Sequence, residues 1–193
     1  MPMMTKTLLL GATMLCFGGA AFAQDMNMTI AENGRSATNF TALVAAADKA
    51  GLTDLLMGPG PYTVFAPSND AFAVADPQVI AELMLPENQA HLSDLLKAHV
   101  IAGLYTSADL EKVIGSGAII NAGDVNMKIE NGVINVQSLA GTAAHIFISL
   151  NGDEFDISGD ASNMVQAQII EADIMSSNGV VHIIDHLLSP VAY

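Results

Sequence analysis

The sequence predicts an α+β domain in which helices come mainly from the N-terminal half of the chain. Two observations support this. Apolar residues recur at helical spacing between Thr38 and Val113, and after Gly115 short alternating stretches flank Asn-Gly pairs, which favour tight β-hairpins. Helices and hairpins that occupy separate parts of a chain indicate an α+β fold with antiparallel strands rather than a parallel sheet.

The first 37 residues divide into two segments. Residues 1–23 carry one basic residue, an apolar stretch and a final small-residue triplet (Ala21-Phe22-Ala23), a pattern typical of a secretory signal peptide. The apolar stretch is shorter than the roughly 20 residues that span a bilayer, which argues against a membrane anchor. Residues 24–37 are polar, and we expect a flexible leader before a domain over residues 38–193. The prediction is a secreted or periplasmic protein with no transmembrane segment after signal removal.

Caps and breakers set the limits of the predicted helices. Thr38 or Asn39 opens the first, Gly51 ends it, and Pro86 separates two later ones, because proline removes a backbone donor and disfavours a continuing helix. The predicted helices cover residues 38–50, 53–57, 77–85, 88–98 and 107–113. Each is short, so the helices need tertiary packing to be stable.

The second half of the chain predicts hairpins. Asn131-Gly132 and Asn151-Gly152 each separate two alternating stretches, and a type I′ turn needs the positive φ angles that these residues tolerate. A third pair of stretches flanks a loop that contains Asn178. The predicted strand pairs are residues 127–130 with 133–136, 144–150 with 154–158, and 165–172 with 179–184.

Charge and cysteine content exclude several functions. All 20 acidic residues follow Ala23, whereas one of the six basic residues, Lys6, precedes it. Because nucleic-acid binding needs a basic surface, this acidic chain predicts no nucleic-acid partner. The only cysteine, Cys16, lies in the signal segment, so the mature chain has neither a disulfide nor a thiolate site.

A compact strand-to-helix corner follows the first helices. The stretch 62–65 is rich in aromatic and β-branched residues, which suit a pleated strand. Pro67 disfavours a helical conformation at the residue before it, and Ser68 is a good N-cap. Asp70 then falls in the first helical turn, where a negative charge suits the helix dipole.

Three segments together resemble the fasciclin domain family. "TVFAPSNDAF" (residues 63–72, box 1) is similar to the first conserved box of the family, and "NGVVHIIDHLLSP" (residues 178–190, box 2) is similar to the second. Between them, "LLKAHVIAGLYTSADL" (residues 95–110) resembles the segment that links the boxes. The resemblance implies a fasciclin-like β-sandwich wedge flanked by helices. It also implies these motif residues: Thr63, Phe65, Pro67, Ser68, Asn69, Phe72, His99, Asn178, Gly179, His182 and Asp185.

His182 is the one polar residue within the apolar stretch 180–184 of box 2. A buried imidazole without a partner would cost about 1–3 kcal/mol, so we expect it to be hydrogen-bonded. We predict that His182 bonds to box 1 near Ser68 or Asn69 and so locks the two boxes together.

The segment before box 2 suggests a partner contact. Asp173 and Ile174 resemble the Asp-Ile pair that animal matrix fasciclin domains use to recognise integrins, although a strand end entering a loop explains the same residues. A second adhesion motif of those domains has tyrosine before histidine, and here Ala98 precedes His99. The resemblance to integrin-binding domains is therefore incomplete.

Metal and catalytic sites are disfavoured. His182 and His186 are four residues apart, but in a strand that spacing spans roughly 13 Å, too far for a shared ion. The acidic hairpin at 151–160 lacks the residue order of a calcium loop, so a solvated turn is favoured. No nucleophile motif is present, and we expect no cofactor and no enzymatic activity.

The favoured function is an exported binding domain for cell adhesion or for association with the extracellular matrix or envelope. Its partner would be a protein or a polysaccharide at the cell surface. An alternative is a carrier of a small apolar ligand such as a carotenoid, since some fasciclin proteins bind carotenoids and methionines suit adaptable apolar surfaces. A hydrolase is the remaining alternative.

Overall fold

The computed structural model describes residues 26–116, 127–130, 133–141, 145–152, 154–159 and 166–188. Its helices are α1 (Ile30–Ser36), α2 (Thr41–Ala50), α3 (Thr53–Leu56), α4 (Asn69–Val74), α5 (Pro77–Leu83), α6 (Gln89–Ala98) and α7 (Ser107–Ser116). Its strands are β1 (Tyr62–Pro67), β2 (Val100–Ala102), β3 (Met127–Glu130), β4 (Val133–Gln137), β5 (His145–Asn151), β6 (Glu154–Ser158), β7 (Ala167–Ser176) and β8 (Gly179–Ile184). The expected signal peptide, the Asn131-Gly132 turn, Asp153 and Asp160 lie outside the described residues.

The strands form one sheet in the order β2-β1-β8-β7-β6-β5-β4-β3. The predicted hairpins are present, but β1 and β8 pair in parallel, with Phe65 opposite His182. The other strand pairs are antiparallel, as expected, and this parallel pair was not predicted. Hairpin signals report only strands that are neighbours along the chain, and more than one hundred residues separate β1 from β8.

The sheet curls towards a closed barrel. The backbone N–H of Leu139, just after β4, donates to the carbonyl oxygen of Val100 in β2 at 2.9 Å, although these strands are far apart in the sheet order. The inner face encloses one apolar core, and strand β4 shows the alternation of buried and half-buried residues expected for a strand with one face inside. The core includes Phe65, Ile101, Ile134, Ile148 and Ile184.

Strands β1 and β8 are buried on both faces. Val64 and Val181 point away from the barrel core and pack with Ile30 and Phe40 in a second cluster. A third cluster joins α2, α5 and α6 through alanine and leucine side chains. The helices therefore cover the outer face of the central strand pair, and the α+β class is confirmed.

The segment predicted as a flexible leader contains helix α1, so the expectation of a loose chain was wrong for its second half. Thr29 and Glu32 form a reciprocal capping box, which satisfies backbone donors at the helix start. Ile30 is only 6% exposed, and its burial ties the helix to the domain. The polar composition of residues 24–37 suggested a loose leader, and the capping signal of Thr29 and Glu32 was missed.

Candidate functional site

Asn178 joins box 2 to three other parts of the fold. Its side-chain oxygen accepts a hydrogen bond from the N–H of Ile30 at 2.9 Å. Its amide nitrogen donates to the carbonyl oxygens of Leu56 and Gly58 at 2.7 and 2.8 Å. Its own carbonyl accepts from the N–H of Tyr62 at 3.0 Å. The side chain of Asn178 therefore fixes α1 and the end of α3, and its backbone carbonyl fixes the start of β1.

Gly179 is the first residue of β8 rather than part of the turn, which consists of Ser177 and Asn178. A Cβ added at Gly179 would lie 2.0 Å from the carbonyl oxygen of Tyr62. Backbone crowding therefore requires glycine here, because β1 passes against β8 at the position where a side chain would project.

His182 contacts box 1 differently from our expectation. Its Nε2–H donates to the carbonyl of Tyr105 at 2.9 Å, and its Nδ1 accepts from the N–H of Asp173 at 3.3 Å. The predicted hydrogen bond to Ser68 or Asn69 was therefore wrong. The ring instead stacks on Phe65 of box 1, with centroids 5.5 Å apart. Because Phe65 and His182 face each other across the parallel pair, stacking is the contact that their register allows.

Ser68 and Asn69 of box 1 each hold the start of a helix. Ser68 caps α4 by accepting from the N–H of Ala71 at 3.2 Å, as its sequence position predicts. Asn69 holds the start of α2, since its oxygen accepts from Ala42 N–H at 3.1 Å and its nitrogen donates to the Thr38 carbonyl at 3.1 Å. Of the remaining box 1 residues, Pro67 is buried at the end of β1 and Phe72 is half-buried in α4.

His99 is fully buried and its two ring nitrogens have different partners. Nδ1–H donates to the Leu95 carbonyl at 2.8 Å, and Nε2 accepts from the N–H of Leu188 at 2.9 Å. Burial lowers the pKa of His99 from 6.5 to about 4, with the Leu95 bond acting in the opposite direction. His99 therefore ties the segment between the boxes to the end of box 2 as a neutral ring.

Tyr105 is a motif residue that sequence reasoning did not single out. Its N–H donates to Thr63 Oγ1 at 2.9 Å, while that hydroxyl donates to the Gly103 carbonyl at 2.8 Å. Its carbonyl accepts from His182. Thr63, Tyr105 and His182 thus form a buried polar chain that crosses from box 1 to box 2. Both Tyr105 contacts use backbone groups, which no side-chain pattern in the sequence indicates.

Asp173 and Ile174, the expected partner-binding pair, make contacts within the domain. Asp173 Oδ1 accepts from the N–H of Ser107, the first residue of α7, at 2.8 Å, and Asp173 Oδ2 accepts from the Ser107 hydroxyl. The backbone of Asp173 has a φ of 61°, in the left-handed region. Ile174 is 3% exposed in the cluster below α1. Partner binding by this pair stays a prediction.

Asp185 of box 2 is hydrogen-bonded to β7 through both its side chain and its backbone. Its carboxylate accepts from the N–H of Gln168 at 2.7 Å, and its own N–H donates to the Gln168 carbonyl at 3.2 Å. His186 Nδ1 lies 2.9 Å from Asp185 Oδ1. No group of three or more metal-ligating side chains occurs among the residues that the structure describes.

An apolar cavity of about 80 Å³ lies between the first three helices and the outer face of the central strands. We call it the α1 cavity. Ile30, Phe40 and Leu56 line it from the helical side, and Val64 and Val181 line it from the sheet. Two motif residues, Phe65 and His99, also line the cavity, and both ring nitrogens of His99 are hydrogen-bonded within the domain.

The comparisons with known proteins agree with this geometry. A family model described as Fasciclin domain matches residues 38–190. The chain belongs to the fasciclin domain family. Its resemblance to that family and the expected fasciclin-like fold are thus confirmed, with the match covering both boxes and the segment between them.

Individual relatives extend the comparison. Protein sll1483 of Synechocystis sp. is 33% identical over 168 residues, which cover 87% of this chain and 77% of that protein. Transforming growth factor-beta-induced protein ig-h3 of Oryctolagus cuniculus is 33% identical over 155 residues, which cover 79% of this chain but 18% of that protein. This fasciclin domain therefore aligns with most of the bacterial protein but with a small part of the animal one.

The solved structure of a FAS1 domain pair from the insect cell adhesion molecule Fasciclin I has the same fold. The TM-score is 0.65 at 16% identity, over 84% of this chain and 51% of that chain. Within the residues that the structure of the present protein describes, no helix is both long enough and apolar enough to cross a bilayer.

Proposed function

We propose that this fasciclin domain is an exported, non-enzymatic binding domain that acts in adhesion at the cell surface, matrix or envelope. The observation that carries the proposal is the internal use of the motif side chains. Five motif side chains form hydrogen bonds with the domain's own backbone or side chains: Thr63, Asn69, His99, Asn178 and His182. Motif residues used in this way support a rigid scaffold that presents its surface to a partner.

The same observation argues against catalysis. The buried histidines face backbone groups rather than a nucleophile, and burial lowers the pKa of both His99 and His182. A catalytic base needs access to a substrate proton, which a ring enclosed on both nitrogens lacks. Membership of a family that includes the cell adhesion molecule Fasciclin I supports an adhesive role.

Export and partner class complete the proposal. The signal-like residues 1–23 support a secreted or periplasmic location. The partner would be a protein or a polysaccharide, because the strongly acidic chain repels nucleic acid and anionic lipid surfaces. The acidic turn near Glu154 and Asp156 is one surface that a basic partner could recognise.

Adhesion can be tested with beads coated with the mature protein and mixed with native envelopes or intact cells. We expect more binding than to beads coated with serum albumin. A Glu154→Gln/Asp156→Asn variant tests the acidic turn, and a Glu82→Gln/Glu87→Gln variant removes the same charge from the opposite half of the chain. Equal binding of wild-type and albumin beads would reject the adhesive role, and equal binding of the two variants would remove the acidic turn from it.

The α1 cavity favours a second candidate function, the carriage of a small apolar ligand. Ligand sites are concave and mainly apolar with a few polar groups at the edge, and this cavity fits that description. Purification from the native source, followed by solvent extraction, mass spectrometry and a visible spectrum, tests the idea. If the purified protein contains no apolar compound and binds none from a mixture of pigments and lipids, the carrier function is rejected.

A further inference from the structure

The α1 cavity has an unusual electrostatic setting. Only five basic residues follow Ala23, against 20 acidic ones, yet Arg35 and Lys97 both border this cavity. Arg35 approaches from α1 and Lys97 from the last turn of α6. A protein with a large negative charge thus places two of its few cations beside its apolar cavity.

Both cations retain hydrogen-bonding capacity. Arg35 gives one donor to Asp48 Oδ1 at 2.9 Å, and Asp48 Oδ1 also accepts from the Thr53 hydroxyl at 2.6 Å. A guanidinium has five N–H donors, so most remain for another acceptor. Lys97 is half-buried and has no ion pair or hydrogen bond within the part of the chain that the structure describes.

Long basic side chains cover apolar surface with their methylene stems and keep their charged ends in water. At the edge of a cavity the same arrangement places a positive charge at the point where a bound apolar chain would end. An anionic head group at that point would meet a guanidinium and an ammonium. A cationic or neutral head group would gain neither contact.

We propose that the α1 cavity binds a medium-chain aliphatic carboxylate, with its tail between Ile30, Phe40 and Val181 and its carboxylate at Arg35 and Lys97. The proposal rests on the second candidate function, the carriage of an apolar ligand, and specifies the chemical class of that ligand. The apolar lining provides most of the affinity, and the two cations provide selectivity for the anion.

The size of the cavity sets the length of the tail. One water needs about 10–15 Å³ of such a cavity and takes about 30 Å³ of liquid, so the cavity matches the volume of about six waters. At about 80 Å³ it is about half the ~150 Å³ cavity that accommodates benzene, so it encloses part of a tail of about six to eight carbons and leaves the rest at the apolar edge of the cavity. A full-length carotenoid would leave most of its chain outside.

The test is a titration of the mature protein with sodium octanoate by isothermal calorimetry, with octan-1-ol and octylammonium as matched ligands. We expect saturable binding of one octanoate, at least about tenfold tighter than either matched ligand. Because the selectivity is electrostatic, raising the salt concentration from low to high should weaken octanoate binding and leave octan-1-ol binding unchanged.

Variants locate the site. Lys97→Gln should weaken octanoate binding about tenfold and leave octan-1-ol binding unchanged, whereas Lys112→Gln on α7, which does not border the cavity, should change neither. Val44→Phe should fill the cavity and abolish binding of both ligands. Ala31→Leu fills the same space from α1 and serves where Val44→Phe fails to fold by circular dichroism.

Each outcome decides a different point. Equal affinity for octanoate and octan-1-ol would overturn the proposal and leave the apolar carrier in place. Absence of saturable binding by all three ligands would overturn both. Octanoate binding that survives both cavity-filling variants, or that falls equally in Lys112→Gln, would place the ligand elsewhere and overturn the assignment to the α1 cavity.

Discussion

The imidazole of His99 accepts a hydrogen bond from the backbone N–H of Leu188 at 2.9 Å, across 89 residues of sequence. Its other nitrogen donates to the Leu95 carbonyl, which fixes the neutral tautomer with the proton on Nδ1. Protonation of Nε2 would remove the only acceptor facing Leu188 N–H and place a charge in a buried site. Protonation of His99 therefore destabilises the folded domain at this contact.

The first prediction concerns pH. The pKa of His99 is about 4 in the folded protein against an ordinary value of 6.5, so between these values the unfolded chain binds a proton that the folded one does not. Stability should be full above pH 6.5 and fall as pH decreases towards 4, by up to about 3 kcal/mol. Burial also lowers the pKa of His182, which acts in the same direction. Urea denaturation at pH 7.0, 5.5 and 4.5 measures the effect.

Variants separate His99 from other groups. His99→Gln should be less stable at pH 7.0 but should lose less stability between pH 7.0 and 4.5 than the wild type. His91→Gln, an exposed histidine on the same helix, should follow the wild-type profile. Parallel profiles for His99→Gln and wild type would show that His99 does not carry the pH dependence.

The second prediction concerns glycine. Gly179→Ala would bring a Cβ to 2.0 Å from the Tyr62 carbonyl and force β1 away from β8, so we expect a loss of about 3–5 kcal/mol. Gly115→Ala in α7 meets no atom within 4 Å and should stabilise the protein by about 0.5–1 kcal/mol through helix propensity. Thermal denaturation of both variants tests this. Similar melting temperatures for the two would contradict the close approach.

The third prediction concerns Asn178. Asn178→Asp keeps the acceptor for Ile30 N–H but turns a carboxylate oxygen towards the Leu56 and Gly58 carbonyls, so we expect a loss of about 3 kcal/mol or more. Hydrogen exchange should show faster opening of α1 in this variant. The neighbouring exposed turn residue provides the control, and Ser177→Ala should change stability by less than about 0.5 kcal/mol. Unchanged hydrogen-exchange protection of α1 in Asn178→Asp would show that the Asn178 side chain does not hold α1 in place.

The fourth prediction concerns Asp173. Asp173→Ala removes the acceptor for Ser107 N–H and leaves a Cβ-bearing residue at positive φ, so we expect a loss of about 2 kcal/mol. Asp173→Gly also loses the acceptor but relieves the backbone conformation, and it should be about 1 kcal/mol more stable than the alanine variant. Equal stability of Asp173→Ala and wild type would instead favour a surface role in partner binding.

The sequence predicted the local elements well. Ser68 has the chemistry of an N-cap and caps α4, and Gly51 ends α2 with a φ of 70°. These features depend on residues within a few positions of each other, where capping and turn preferences are strong. The helices after residue 38 and the hairpins of the second half followed from the same rules.

The contacts between distant segments were harder to predict. His182 was expected to need a partner, but nothing in its neighbourhood indicated that the partner would be the Tyr105 carbonyl, 77 residues away. The cavity was also missed, since it depends on how α1 lies over β8 and not on any single motif. Packing of elements that are far apart in the chain determines both features.

The parallel pairing of β1 with β8 has a consequence for biogenesis. The central ladder of the barrel needs a strand near the start of the domain and another near its end, so β1 cannot complete this ladder until β8 has emerged. A chain that crosses a membrane from its N-terminus would consequently close its barrel only on the far side, once this strand is released.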